Sequence, residues 1–248
     1  MVKDKNIVIT GCLQGIGREA LKVFAENGAN LFACAYEQND DFEQFCGELE
    51  ESNHIKVCPV YFDMMDNASI KEAAITIQKS KLEIHGLVNI AGINRDSLFG
   101  MITYQDMVDT FQVNVFSQII FSQYIVKLMQ RKKIPGSIVF TSSITAMDGN
   151  EGQVTYGASK AALIGAMKSM ALELGKNGIR VNAIAPGVIR TPMTDKLDQD
   201  VIDRKVKTMD IPRLGNSKEV ADLYMYLMSD FSSHISGQVI RVDGGIGA

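Results

Sequence analysis

The sequence predicts an α/β protein: one doubly wound parallel sheet of about seven strands, with helices on both faces. Three observations predict it. Short apolar runs alternate with longer amphipathic stretches along the whole chain. A glycine-rich turn stands directly between the first apolar run and the first amphipathic stretch. No internal repeat, low-complexity tract or proline-rich linker divides the 248 residues. Residues 1–248 therefore read as a single domain, with a small lid around 190–215 where Pro192 and Pro212 interrupt the pattern.

The elements follow in order. Ile7-Val8-Ile9 is the first strand, and Gly15 to Glu26 the first helix, with Ile16, Ala20, Val23 and Phe24 on one face. Leu31 to Ala35 is the second strand, followed by a polar helix to about Glu51. Val57 to Phe62, Gly86 to Ile90, Ser137 to Phe140 and Arg180 to Ala185 supply further buried strands. Gln238 to Val242 is the last. Stretches long enough for a helix separate the strands, as parallel pairing requires.

Composition excludes several classes. The chain is 46% hydrophobic, 22% charged and 7% aromatic, with 21 glycines and 5 prolines, unlike a disordered tail, a collagen repeat or a disulfide scaffold. At this length roughly three quarters of the unfolded surface is buried, so no metal or disulfide staple is needed. The 25 basic and 29 acidic side chains leave a net charge of −4, which argues against a nucleic-acid binder. Lys3, Asp4 and Lys5 precede an apolar run far too short for a signal peptide or membrane span. Cys12, Cys34, Cys46 and Cys58 form no CxxC pair, and His54, His85 and His234 complete no zinc spacing, so no metal site is expected. These features lead us to expect a cytoplasmic protein with reduced thiols and neither nucleic acid nor membrane as partner.

Two motifs carry chemistry. Thr10-Gly11-Cys12-Leu13-Gln14-Gly15-Ile16-Gly17 opens directly into the first helix. Glycines at 11, 15 and 17 allow a tight turn, close approach of backbone to a pyrophosphate, and close packing of helix on strand. The free N–H groups and positive helix end then suit phosphate. Tyr156 and Lys160 are spaced i, i+4 on one helix face, with Ser143 thirteen residues before Tyr156 at the end of a strand. Asn114 lies in a long helix. Ketone reduction needs a hydride donor, an acid for the developing alkoxide and a group that polarises the carbonyl. An ammonium about 4 Å from a phenol, at an effective dielectric near 20, contributes roughly 4 kcal/mol, or about three pKa units. Ser142, the neighbour of Ser143, competes with it for the polarising role.

The spacing G-x-x-x-G-x-G resembles the short-chain dehydrogenase/reductase family, and the likeness runs through the whole chain. Asn89-Ile90-Ala91-Gly92 is similar to that family's N-N-A-G, with Ile90 in place of the second asparagine. Val242-Asp243-Gly244-Gly245 is similar to its C-terminal loop. The resemblance implies a tetrad of Tyr156 as general acid, Lys160 lowering its pKa and binding the nicotinamide ribose, Ser143 on the carbonyl oxygen, and Asn114 holding a water that feeds protons to Lys160. It implies a Rossmann-type cofactor site built from Gly11, Leu13, Gln14, Gly15, Ile16 and Gly17. Asp63 and Met64 would meet the adenine, and Asn89, Ala91 and Gly92 would continue the site. Pro186, Gly187, Ile189 and Thr191 would hold the carboxamide. Ala35 stands where an NAD-type acid usually falls, and Tyr36 and Glu37 follow; the resemblance points to NADP, with NAD possible.

Within the family, Ala91 to Leu98, Thr191 to Thr194 and Ile211 to Gly215 are similar to the 3-oxoacyl-[acyl-carrier-protein] reductases. That implies reduction of a 3-oxoacyl group on an acidic carrier, for which Arg131-Lys132-Lys133 and Lys176 are candidate docking residues. A sugar or small-alcohol dehydrogenase is the alternative, and a non-catalytic nucleotide sensor a remote one. Ala158, Ala161, Ala162, Gly165 and Ala166 let a second helix approach, while Leu163, Met167 and Met170 supply apolar area. Family members commonly pair this helix and the one containing Asn114 about two-fold axes, which implies a homotetramer.

Overall fold

Asn6–Thr10 forms β1, and all five residues are buried, as expected of a central parallel strand. The computed structural model describes residues 1–192, 194–196 and 198–246. After β1 come α1 (Gly15–Glu26), β2 (Asn30–Ala35), α2 (Asp40–Asn53), β3 (Val57–Tyr61), α3 (Asn67–Lys79) and β4 (Gly86–Asn89). The second half holds α4 (Tyr104–Phe111), α5 (Ser117–Lys132), β5 (Gly136–Thr141), the short α6 (Thr145–Asp148), α7 (Val154–Leu174) and β6 (Ile179–Pro186). It ends with β7 (Ile189–Arg190), α8 (Gln199–Val206), β8 (Gly215–Asn216), α9 (Ser217–Met228) and β9 (Val239–Val242).

Seven strands make one all-parallel sheet in the order β3-β2-β1-β4-β5-β6-β9. Strand alternation splits the core in two. Ile7, Ile9, Leu31 and Ala33 pack with α1, α2 and α9 on one face. Val8, Phe32, Ile138 and Phe140 pack with α3, α5 and α7 on the other. The chain reverses direction across the sheet between β1 and β4, and the loops after those two strands diverge there, opening a crevice at their C-terminal ends.

Two features differ from the sequence reading. The helix expected to carry Asn114 is broken: Gln112–Phe116 is a π-helical turn between α4 and α5. Widening the turn brings Val113, Asn114 and Val115 into the interior together, which a straight helix with a single buried stripe would not do. The residues around 190–215 leave at β7 and return at β8, which pair in a separate two-stranded ladder of Ile189 with Gly215 and Arg190 with Asn216. Two-residue strands are too short for periodicity to mark.

Candidate active site

The crevice at the switch point is a cleft of about 620 Å³. At one end is the glycine turn. Gly11 has φ +74°, and a Cβ there would lie 2.8 Å from the Ala91 nitrogen. A Cβ on Gly17 would sit 2.0 Å from the Gly11 carbonyl oxygen. Only glycine lets β1, the turn and α1 close so tightly. The N-cap residue of α1, Gln14, makes no side-chain capping bond, and the first turn carries no acid. The helix therefore presents free N–H groups and its positive end to the cleft. Thr10 secures the neighbouring loop: its hydroxyl accepts from the Ile90 N–H at 3.0 Å and the Ala91 N–H at 3.2 Å. The sequence reading missed Thr10, although its place closing β1 before the glycine turn was the available signal.

Most of the cofactor residues named from the sequence meet here. Gly11, Leu13, Gln14, Gly15, Ile16 and Gly17 line the cleft with Tyr36, Asp63 and Met64. Ala91 and Gly92 continue the wall towards Tyr156 and Lys160, opposite Pro186, Gly187, Ile189 and Thr191. Asn89 does not line it; its carboxamide is buried and donates to the Ser122 hydroxyl at 2.9 Å. Asn114 does not line it either. Its side chain donates to the Ile93 carbonyl (2.9 Å) and the Ser159 hydroxyl (3.0 Å), and accepts from the Ile93 N–H (2.8 Å). With both polar atoms engaged, that side chain fixes the loop after β4 to α7.

Ser143, Tyr156 and Lys160 come together at the other end. Ser142 and Ser143 are sorted by direction. The Ser142 hydroxyl donates into the body of α7, to the Lys160 carbonyl at 3.0 Å. The Ser143 hydroxyl accepts from the Thr145 N–H at 3.1 Å and stands on the Tyr156 side of the cleft, where it favours the ionised phenol. Lys160 is 2% exposed, and its ammonium donates to the Thr141 carbonyl at 2.8 Å. Burial pulls its pKa down to about 8.

The tuning of Tyr156 differs from the sequence expectation. The Lys160 nitrogen lies 5.7 Å from the Tyr156 ring centroid and spends its hydrogen bond on Thr141. Desolvation instead pushes the Tyr156 phenol up, opposed by the Ser143 hydroxyl and reinforced by the charge of Asp96. A phenol held in its protonated form is the form an acid catalyst needs.

Sequence reasoning missed the walls beyond these groups. Ile93 and Val113 line this end, with an Arg95 that pairs with Asp109 at 3.2 Å. The basic run at 131–133 lies elsewhere. It precedes β5, at the N-terminal end of a strand whose C-terminal end faces the cleft. Lys176 is sixteen residues past Lys160, about 24 Å along the helix. Among the described residues no group of three metal-ligating side chains forms, and no helix is long and apolar enough to cross a membrane.

Known proteins are similar over nearly the whole chain. Residues 11–247 match a family model described as enoyl-(acyl carrier protein) reductase. A 3-oxoacyl-[acyl-carrier-protein] reductase of Thermotoga maritima is 37% identical over 245 residues, 99% of this chain and 98% of its own. A Brucella melitensis structure of the same activity superposes with TM-score 0.91 at 31% identity, covering 100% of this chain and 92% of that one. Another from Brucella melitensis, with bound NAD, has TM-score 0.90 at 30% identity, covering 99% and 92%. With a glycine turn at the switch point and a Ser143–Tyr156–Lys160 group at the far end of one cleft, the chain belongs to the short-chain dehydrogenase/reductase family and is an NAD(P)-dependent oxidoreductase acting on CH–OH groups.

Proposed function

We propose that the chain reduces the keto group of a 3-oxoacyl thioester, carried on an acyl carrier protein, to a secondary alcohol. The observation that carries the reading is the convergence of Ser143, Tyr156 and Lys160 on a cleft end walled by Ile93, Val113 and Ile189. Apolar walls suit an acyl chain; a sugar would ask for several polar partners instead. The 3-oxoacyl-[acyl-carrier-protein] reductases among the relatives support the same substrate.

A nicotinamide dinucleotide fits the residues present, since the glycine cradle and open α1 terminus receive phosphates and the cleft runs unbroken to Tyr156. When bound it supplies the hydride. Ser143 donates to the carbonyl oxygen and draws charge onto it. Tyr156 gives its proton to the alkoxide that forms, and the Lys160 ammonium, fixed by the Thr141 carbonyl, stabilises the phenolate left behind. Asn114 steadies the arrangement through Ile93 and Ser159.

At the adenosine end the lining favours NAD over the NADP that the resemblance implied. Gln14 is neutral, Tyr36 is 65% exposed, and Glu37 and the first turn of α2 add Asp40, Asp41 and Glu43. Arg18, on the first helix, is tied to Asp41 at 2.6 Å and lies over the Phe45 ring. A 2′-phosphate would meet these acidic groups, and Arg18 is already committed to one of them.

The excursion from 190 to 215 closes the cleft as a lid, and the exposed stripe of α7 joins chains into a homotetramer. The decisive measurement is turnover of a 3-oxoacyl thioester against a panel of ketones, sugars and alcohols, with NADH and NADPH in parallel. The thioester with NADH should give the highest kcat/KM. A sugar or polyol turned over faster overturns the substrate, and a preference for NADPH overturns the cofactor.

A further inference from the structure

A fully buried tyrosine behind the sheet has no part in the chemistry described above. Tyr224 projects from α9 into the core and is 0% exposed. Its hydroxyl lies 2.6 Å from the Thr141 hydroxyl. That hydroxyl is also 2.6 Å from the Asn89 carbonyl, which can only accept. Thr141 has one proton to give, so it donates to Asn89 and Tyr224 donates to Thr141. Asn89 continues the chain through its carboxamide to Ser122 on α5. A line of polar groups thus crosses the sheet from α9 to α5, directly beneath the cleft.

Its position follows from strand ends. The β4–β5 ladder stops at Asn89 paired with Phe140. Thr141, one residue on, is held by backbone only on the β6 side, opposite Ile184. Its hydroxyl supplies the missing bond to β4. The same residue offers its carbonyl, 2.8 Å away, to the Lys160 ammonium. Whatever fixes Thr141 between β4 and α9 fixes the acceptor that Lys160 leans on. Besides Thr141, the Tyr156 ring on the same helix has its centroid 5.7 Å from that ammonium, and the Asn114 carboxamide oxygen comes close to it beside Gly92.

We propose that Tyr224 is a positioning residue for Lys160, acting from the opposite face of the sheet through the Thr141 hydroxyl. The proposal rests on the reading of Lys160 as part of the reducing site. Burial of a phenol with a single partner is costly unless that bond is kept, which makes the contact rigid rather than incidental. A Phe would fill the same space and remove only the bond.

The test uses the full-length enzyme and two readouts. The first is kcat and its pH profile with the best ketone substrate for wild type, Tyr224→Phe, Thr141→Val and Thr141→Ser. The second is the NMR titration of lysine labelled with 13C at Cε, with the Lys160 signal assigned by Lys160→Arg. Tyr224→Phe and Thr141→Val should each lower kcat roughly tenfold, and the double variant no more than the worse single one. Thr141→Ser should retain wild-type kcat. In Tyr224→Phe the Lys160 titration should move to lower pH, because a less well held ammonium is less stable. An unmoved Lys160 titration, or a kcat loss matched by a loss of folded protein at unchanged pH profile, overturns the proposal. If the substrate reading alone is wrong, the NMR shift persists while thioester turnover does not exceed that of other ketones.

Discussion

Tyr156→Phe removes one oxygen from the cleft and leaves its shape intact. It should lower kcat at least a hundredfold while cofactor affinity stays within a few-fold, because the proton matters in the transition state and not in binding. Stopped-flow cofactor titration beside steady-state rates checks both halves, and more than a tenth of wild-type kcat surviving would refute the role. Ser143→Ala should cost about a hundredfold, as loss of one oxyanion donor does. Ser142→Ala should cost far less in kcat, since its hydroxyl is spent on the Lys160 carbonyl inside α7. At the far edge of the sheet, His85 accepts the Asn6 N–H at Nδ1, 3.1 Å away, and burial holds its pKa below 6.5. A depressed histidine adds stability above its unfolded pKa, and that stability is lost as pH falls through about 6.5 towards the folded value. Urea midpoints should therefore decline as pH falls from 7 to 5, and His85→Asn, which keeps an acceptor, should flatten the decline. The Tyr156–Lys160 pair was legible because one helical turn brings i and i+4 together. Thr141 and Tyr224 were not, because 83 residues separate them and only packing of α9 on β5 makes them meet.

Among the elements, α9 is the best signposted. Asn216 accepts the Glu219 N–H at 3.0 Å, and Glu219 returns the bond by accepting the Asn216 N–H at 2.8 Å. Arg213 grips the same carboxylate through two nitrogens, at 3.0 and 2.6 Å. This cluster fixes the point where the excursion from β7 rejoins the fold at β8. Asn216→Ala should lower stability by about 1 kcal/mol in a denaturant titration. Arg213→Ala should raise the KM for ketone several-fold through a looser lid, with the affinity for cofactor unchanged; an unchanged KM would separate the cluster from the lid. Strands and helices of ordinary length were readable from periodicity, and α1 falls on the residues expected of it. The π turn was not, since Gln112 to Phe116 are unremarkable helix formers, and the widening answers to the burial of Asn114 and Ser117 between neighbours distant in sequence.

For the whole molecule, assembly is the open expectation. One face of α7 presents Val154, Ala158, Ala161, Gly165 and Leu172 to solvent, while Leu163 and Met167 turn inward to the chain's own core. The apolar area available for partner contact is then Val154 and Leu172 on α7, Phe116 in the π turn and Ile120 on α5. Light scattering at micromolar concentration should give about four times the 27.2 kDa chain mass. Ala161→Glu, which touches nothing within the chain's core, should reduce that mass; a monomer of full activity would sink the assembly.

The sequence by itself determined what local rules can carry. Alternating apolar runs with helices between them point to parallel strands, glycines before a helix allow a tight strand-to-helix turn, and a spacing of four puts a phenol and an ammonium on one face. Tertiary structure decided what depends on direction and on distant partners. It committed the Ser142 hydroxyl to the Lys160 carbonyl, tied Asn114 to the loop at Ile93, placed the basic run at 131–133 at the N-terminal end of β5, and held Lys160 through Thr141. The physical reason is that a side chain's environment in this fold is made by the ends of several strands. Which ends meet follows from the order of the sheet and not from neighbours along the chain.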